Sequence, residues 1–186
     1  NERDKRALNV ITERCMHLQS FVERYASLSK QLSLNCQKIN VGDFFEPIIA
    51  LYNDVESNQL TIQLENKVEY IDGDISFLSQ VFINLLKNAQ EAQATRVDIH
   101  ITKQQTNTKN TLIEVIDNGH GFSNLTNLFV PLYTTKEQGQ GIGLSFCRNI
   151  IEQHQGSMRL VNNASLQNEE RGVTVIISLP KLAKLT

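Results

Sequence analysis

The chain has 186 residues, of which 40% are hydrophobic and 20% are charged. The length suits one globular domain, with or without a small appendage. The composition excludes a disordered or collagen-like chain. Its 18 Lys and Arg residues nearly balance its 20 Asp and Glu residues, which argues against a general nucleic-acid-binding surface. No apolar run approaches the roughly 20 residues that span a bilayer, and the charged N-terminal stretch does not have the pattern of a signal peptide.

Residues 1–34 are predicted to form one long helix. Apolar positions step by three and four along it, with two weaker members at Cys15 and Ser29: Leu8, Ile11, Cys15, Leu18, Val22, Tyr25, Ser29 and Leu32. A seam of this length predicts packing against another helix, which could belong to the same domain, to a partner or to a second copy of the chain. Residues 35–40 are polar and are predicted to form a short linker.

After residue 40 the pattern changes to short strands mixed with helices. The predicted elements are a helix over 44–52, strands over 61–64 and 68–71 with a turn at 65–67, a helix over 74–94, strands over 96–101 and 112–116, a helix over 142–154 that stops at Gly156, and strands over 158–161 and 173–179. Residues 117–143 contain no long periodic element and are predicted to be a functional loop. Because the order lacks a regular strand-helix-strand rhythm, we expect an α+β fold, a two-layer sandwich with a mixed sheet.

Two asparagines on the predicted helix over 74–94 are candidates for binding a metal. Asn84 and Asn88 are four residues apart, so both side chains leave the same face of the helix. Amide oxygens are hard, neutral ligands of the kind that Mg²⁺ accepts. Taken alone, the pair is better explained as the polar surface of an amphipathic helix.

Two glycine-rich stretches are candidates for binding a nucleotide. Asp117 ends a predicted strand and is followed by Gly119 and Gly121; a carboxylate there can accept a hydrogen bond from an exocyclic amine such as that of adenine. Further along, three glycines lead into the helix over 142–154, where bare N–H groups and the positive end of the helix dipole suit phosphate: Gly139, Gly141 and Gly143. An ordinary turn and a flexible linker remain the alternatives for the two stretches taken separately.

Taken together and in this order, the stretches resemble the GHKL superfamily of ATP-binding domains, which have the Bergerat fold. The resemblance covers about residues 41–180. Residues 84–89 resemble its N box, Asp117 with its two glycines the G1 box, residues 128–136 the F box of sensor histidine kinases, and the three later glycines the G2 box. Residues 88–92 and 134–136 resemble the nitrogen-regulation branch of these kinases.

One residue within the N box separates the branches of the superfamily. Asn84 stands where the hydrolytic members carry a general-base Glu, and an amide cannot abstract a proton. The resemblance therefore implies a protein-histidine kinase, an enzyme that transfers the γ-phosphoryl group of ATP to a His. A hydrolytic GHKL ATPase and a non-catalytic, ATP-gated interaction module are the alternatives.

The resemblance also implies the roles of individual residues. Asn88 would be the ligand of Mg²⁺, Asn84 and Lys136 would act in catalysis on the phosphates, and Asp117 would accept from the adenine amine. The other implied nucleotide contacts are Gly119, Gly121, Thr135, Gly139, Gly141, Ile142, Gly143 and Leu144, and Arg148 is a weaker candidate. Residues 118–139 would form the mobile ATP lid. Two positions depart from the family pattern: Glu91 stands where many kinases carry a basic residue, and Leu132 where the F box often has Phe.

The resemblance further implies how the chain is organised and what surrounds it. Residues 1–34 resemble the second helix of the dimerisation and histidine-phosphotransfer hairpin, and residues 35–186 would be the ATP-binding catalytic domain. The first residue is not Met, and none of the four histidines lies in an acceptor motif, so we expect a fragment whose acceptor His is elsewhere.

The implied parent is a homodimer, formed through the hairpin, that passes phosphate on to an Asp of a response regulator in two-component signal transduction. We expect a cytoplasmic domain without nucleic-acid or membrane contact, carried by a parent anchored in the inner membrane.

Overall fold

The computed structural model describes residues 6, 11–12, 15, 31–53, 60–104, 110–122, 126–131, 141–163 and 171–181. In chain order the elements are β1 (Gln37–Asn40), α1 (Val41–Asn53), β2 (Thr61–Asn66), β3 (Tyr70–Gly73), α2 (Ile75–Glu91), β4 (Arg96–Lys103), β5 (Thr111–Asp117), α3 (Gly143–Gln153), β6 (Ser157–Asn162) and β7 (Val173–Leu179). They confirm the predicted mixture of helices and short strands.

The five longer strands form one mixed sheet in the order β2-β4-β5-β7-β6. The β2-β4 pair is parallel, with Ile62 opposite Val97, and the other three pairs are antiparallel. Strands β1 and β3 form a separate antiparallel pair, in which the buried Ile39 lies opposite the buried Ile71.

One face of the sheet carries the core, which the helices share. Burial alternates along β4, β5 and β7, as expected for strands with one covered face. The apolar stripes of α2 and α3 join these strand residues in a single hydrophobic cluster. Helix α1 is attached to α2 by edge-to-face contacts among Phe44, Phe45 and Phe82, whose ring centroids lie 4.7–5.7 Å apart. The predicted two-layer α+β sandwich is therefore confirmed.

The N-terminus of α2 is a junction between distant parts of the chain. Asp74 caps the helix by accepting from the backbone N–H of Ser76 and Phe77, and its second oxygen accepts from Asn35 at 2.8 Å. The backbone N–H of Asp74 in turn donates to Nε2 of the buried His154, whose Nδ1 faces the carbonyl oxygen of Ile150. These contacts join the start of α2 to the end of α3, so that the two helices are held together at this end.

The structure corrects the predictions for residues 31–40. Residues 31–36 contain no regular structure although the helix was predicted to reach residue 34, and the predicted linker contains β1. Within the predicted N-terminal helix, residues 6, 11, 12 and 15 are helical, and the remainder of residues 1–30 lies outside the described residues. The strand predicted over 68–71 lies at β3 and pairs with β1, so β2 and β3 belong to different sheets despite the short turn between them.

Candidate functional site

The structure brings Asn84 on α2 against Gly143, the first residue of α3. A Cβ atom placed on Gly143 would lie 2.8 Å from both terminal atoms of the Asn84 amide, which is closer than side chains approach. The glycine therefore lets the start of α3 pack directly on the amide. Two stretches that are 59 positions apart in the sequence thus meet at one point, as an N box and a glycine-rich phosphate loop must if they share a ligand.

Asn88 lies one turn further along the same face of α2. It is half-buried, and its side-chain nitrogen is screened from solvent. Both amides lie beside the stripe of the helix that is in the core, namely Leu78, Val81, Phe82, Leu85, Leu86 and Ala89. The helix therefore holds the two amides at fixed positions beside α3. Neutral amide oxygens on such a face fit a Mg²⁺ ion that takes its remaining ligands from water and phosphate.

Asp117, the last residue of β5, is a half-buried carboxylate that backbone groups hold in place. Its Oδ1 accepts from the N–H of Gly119 at 2.8 Å and from the N–H of Val173 at 3.3 Å. Burial raises the pKa of the Asp117 carboxyl above its ordinary value, and these two N–H groups partly offset the shift. Oδ2 accepts no hydrogen bond from any residue that the structure describes, so one oxygen is available to an external donor.

The glycines after Asp117 have structural reasons of their own. A Cβ on Gly119 would lie 2.8 Å from the Cβ and carbonyl oxygen of Ala92, at the end of α2. Gly121 has a φ of 72°, which favours glycine. These contacts fix the path of the chain after β5, and contact of the two glycines with adenine stays a prediction.

Three residues that the sequence analysis did not select also shape this end of the sheet. Gly172 has a φ of 138°, and a Cβ there would lie 1.9 Å from the carbonyl oxygen of Asp117. Asn163 donates to that same carbonyl oxygen at 3.0 Å. Asn162 binds both backbone polar groups of Phe122, its Oδ1 accepting from N–H and its Nδ2 donating to the carbonyl. The consecutive asparagines at the end of β6 were the available signal.

The N-terminus of α3 fits the predicted phosphate role. Gly141 has a φ of 64°, and the buried Ile142 occupies the N-cap position without a side-chain hydrogen bond. The first N–H groups of a helix that lacks such a cap need another partner, and they favour an anion. Leu144, half-buried, packs against the core. The backbone here is suited to phosphate, whereas the side chains of Ile142 and Leu144 serve packing.

Several predicted site residues lie outside the described residues: Thr135, Lys136 and Gly139. The same holds for residues 123–125 and 132–139 of the predicted lid. The guanidinium of Arg148 lies 4.6 Å from the ring centroid of Phe129 and pairs with Glu152, so these contacts account for its position. Glu91 pairs with Lys87 across one helical turn at 3.8 Å.

Two kinds of feature are absent from the part of the chain that the structure describes. Within it, no group of three or more His, Cys, Asp or Glu side chains is arranged to hold a metal ion. None of its helices is both long enough and apolar enough to cross a membrane.

Residues 73–183 match the family model described as "Histidine kinase-, DNA gyrase B-, and HSP90-like ATPase". The chain belongs to this family. The match includes both amides on α2, Asp117 and the glycines before α3, so the residues predicted from the resemblance lie inside the family's domain.

Two named relatives are kinases, and the name of one describes it as a sensor histidine kinase. Sporulation kinase E of Bacillus subtilis is 31% identical over 177 residues, which is 92% of this chain and 23% of that protein. Sensor histidine kinase ZraS of Salmonella typhimurium is 29% identical over 180 residues, or 94% of this chain and 38% of that protein. The chain therefore spans less than half the length of these relatives.

A solved structure has the same fold. The histidine kinase ThkA, in a crystal structure with the response regulator protein TrrA, has a TM-score of 0.68 and 26% identity. The similarity covers 94% of this chain and 50% of that one.

Proposed function

We propose that this chain is the ATP-binding catalytic part of a sensor histidine kinase. The observation that carries the proposal is the contact between Asn84 and Gly143, because it joins the amide face of α2 to a phosphate-type helix start. An amide at this position favours phosphoryl transfer over hydrolysis, since it cannot act as a general base. In this proposal residues 35–186 form the catalytic domain and residues 1–34 the second helix of the dimerisation hairpin.

ATP would bind with its adenine at Asp117 and its phosphates between α2 and the start of α3. The unshared Oδ2 of Asp117 would accept from the adenine amine, while the N–H groups that follow Gly141 would face phosphate. Asn88 would hold Mg²⁺ through its amide oxygen, with Asn84 beside it. Bound Mg²⁺ would supply charge neutralisation for the phosphate oxygens. Lys136, Thr135 and Gly139 would complete the phosphate contacts.

The phosphoryl group would pass to a His outside these 186 residues and then to an Asp of a response regulator. Two facts support this order: ZraS and ThkA are named histidine kinases, and ThkA was crystallised with the response regulator protein TrrA. Catalysis would consist mainly of positioning and charge neutralisation, as is usual for phosphoryl transfer. We further propose that the parent dimerises through the hairpin.

The proposal is tested by following phosphate from radiolabelled ATP. The chain is incubated with ATP and Mg²⁺, alone and with the parent's hairpin that bears the acceptor His. We expect acid-labile label on the hairpin and little steady release of phosphate. Steady release by the chain alone would favour a hydrolytic ATPase, and tight ATP binding without label on the hairpin would favour a non-enzymatic module.

A further inference from the structure

A buried thiol on α3 contacts the amide of Asn84. Cys147 lies one turn after Gly143 and is fully buried. Its Sγ accepts from the Asn84 Nδ2 at 3.2 Å and donates to the carbonyl oxygen of Val81 at 3.8 Å. The thiol thus bridges a side chain and a backbone group of α2, and neither the composition nor the motifs pointed to it.

The chemistry of the thiol determines which atom of the amide faces it. Burial raises the pKa of Cys147 to about 12, so the sulfur keeps its hydrogen at neutral pH. That single hydrogen is directed at Val81, which leaves the sulfur lone pairs for a donor. With the hydrogen so directed, the nitrogen of Asn84 faces the sulfur and its oxygen faces away.

The environment of the amide restricts it further. Gly143 lies against both terminal atoms of Asn84, so the amide plane has little room to turn. Among the described residues, none donates a hydrogen bond to the Asn84 oxygen. The result is an oriented acceptor at the place where the phosphate-type helix start meets α2.

We propose that Cys147 is a positioning residue, which holds the Asn84 amide so that its oxygen is presented to water on the Mg²⁺ that accompanies bound ATP. The inference rests on the proposed function. Without the thiol the amide could occupy the same plane with its oxygen and nitrogen exchanged. Its NH₂ group, which repels a cation, would then face the Mg²⁺. The adenine end of the site, which depends on Asp117, would not be affected.

The test compares three variants. Cys147→Val removes the acceptor and keeps an apolar side chain, Cys147→Ser keeps a group that can accept and donate, and Ile150→Val is the matched control. Ile150 is fully buried on the same helix, and its side chain cannot form a hydrogen bond with Asn84. Its truncation therefore reports the cost of removing one methyl group from the core. Thermal unfolding of each variant shows that it is folded at the assay temperature.

The first measurement is made without nucleotide. The side-chain NH₂ signals of Asn84 are assigned by their loss in Asn84→Asp and followed by ¹⁵N NMR. We expect Cys147→Val to shift these signals and speed their exchange with solvent, Cys147→Ser to restore them in part, and Ile150→Val to leave them in place. Unchanged signals in Cys147→Val would overturn the inference.

The second measurement compares two ligands. Loss of one oriented hydrogen bond should weaken ATP·Mg²⁺ binding by about three- to tenfold in Cys147→Val while adenosine binding stays within about twofold. Equal weakening for both ligands would show a merely structural role and overturn the inference. If the Val variant binds ATP as tightly as the wild-type chain does, the inference fails and the proposed function stands. If the wild-type chain does not bind ATP, both the proposed function and the inference fail.

Discussion

At the scale of single residues, Asp117 combines a cost in stability with a proposed role in binding. Its Oδ1 is held by the N–H groups of Gly119 and Val173, while no residue in the described part of the chain donates to Oδ2. Burial of the carboxylate disfavours its charged form and so costs stability. A buried carboxylate with a raised pKa is therefore typical of a functional site. Two predictions separate the role from the cost.

The first prediction concerns nucleotide affinity. Asp117→Ala removes the charged acceptor, and Asp117→Asn places an NH₂ group where the adenine amine would donate. Each change should cost on the order of 1.5–3 kcal/mol, or about tenfold or more in ATP affinity, measured by calorimetry. Asp43→Asn on the exposed side of α1 is the charge-matched control and should leave the affinity unchanged. Wild-type affinity in Asp117→Ala would refute the adenine assignment.

The second prediction concerns stability against pH. Because the pKa of Asp117 is raised in the folded state, the folded chain binds more protons than the unfolded chain between the two pKa values. This group's contribution to stability therefore falls as pH rises through that interval and stays low above it. Asp117→Asn should be more stable than wild type at pH 7, and the difference should shrink as the pH is lowered below the ordinary pKa of Asp. Urea unfolding at a series of pH values measures this; a less stable Asn variant at pH 7 would contradict it.

The third prediction concerns Gly172, whose φ and proximity to the carbonyl of Asp117 leave no room for a side chain. Gly172→Ala should lower the free energy of unfolding by about 1–3 kcal/mol for the strained backbone alone, and it should also weaken ATP binding because Asp117 must move. The control is Gly42→Ala in the first turn of α1, where the nearest atom would be 3.3 Å away and φ lies outside the left-handed region. That change should be nearly neutral or stabilising. Equal effects of the two substitutions would show that the contact with Asp117 is unimportant.

At the scale of elements, α2 and α3 end in the same way and without glycine. Gln93 and Gln155 have φ values of 59° and 60°, in the left-handed region. The N–H of the following residue bonds back to the helix in both cases, Ala94 to Ala89 and Gly156 to Ile151. This is the Schellman arrangement, and its left-handed position is the one that glycine usually takes. Gly156, predicted as the stop, is instead needed because a Cβ there would lie 2.5 Å from the carbonyl oxygen of Ser178.

These helix ends give the fourth prediction. Gln155→Gly should raise the free energy of unfolding by about 0.5–1 kcal/mol, because glycine adopts the left-handed conformation without the steric cost that glutamine bears. Gln80→Gly, the same substitution at an exposed position inside α2, should lower stability by about 1 kcal/mol. Chemical denaturation of both variants checks the opposite signs. A loss of stability in both would show that the left-handed backbone at Gln155 carries no strain.

At the scale of the whole molecule, the sequence predicted the order of elements from residue 41 onwards because each has a local period. It did not predict β1, whose one buried side chain, Ile39, depends on β3 some thirty residues later. The same limit applies to Gly172 and Asn163, which act on Asp117 from a distant loop and strand end. The asparagine and glycine motifs were recognisable because their spacing is local, whereas the contact of Cys147 with Asn84 exists only once α2 and α3 have packed.

The last prediction is that this chain does not phosphorylate itself. Transfer requires an acceptor nitrogen in line and about 3–3.5 Å from the γ-phosphorus. Both ring nitrogens of His154 are engaged by backbone groups in the core. His100 alternates on β4 with the buried Val97, Ile99 and Ile101, so it lies on the sheet face opposite the helices and the proposed site.

His120, next to the glycines after Asp117, has its Nδ1 against the carbonyl oxygen of Gly121, so a backbone group engages that ring nitrogen. His17 lies outside the described residues. Incubation with radiolabelled ATP and Mg²⁺ should therefore leave no acid-labile label on the chain. Acid-labile label on the chain would contradict the prediction. The variants His120→Ala and His17→Ala would then identify the acceptor, because the label would be lost from the variant that lacks the accepting histidine.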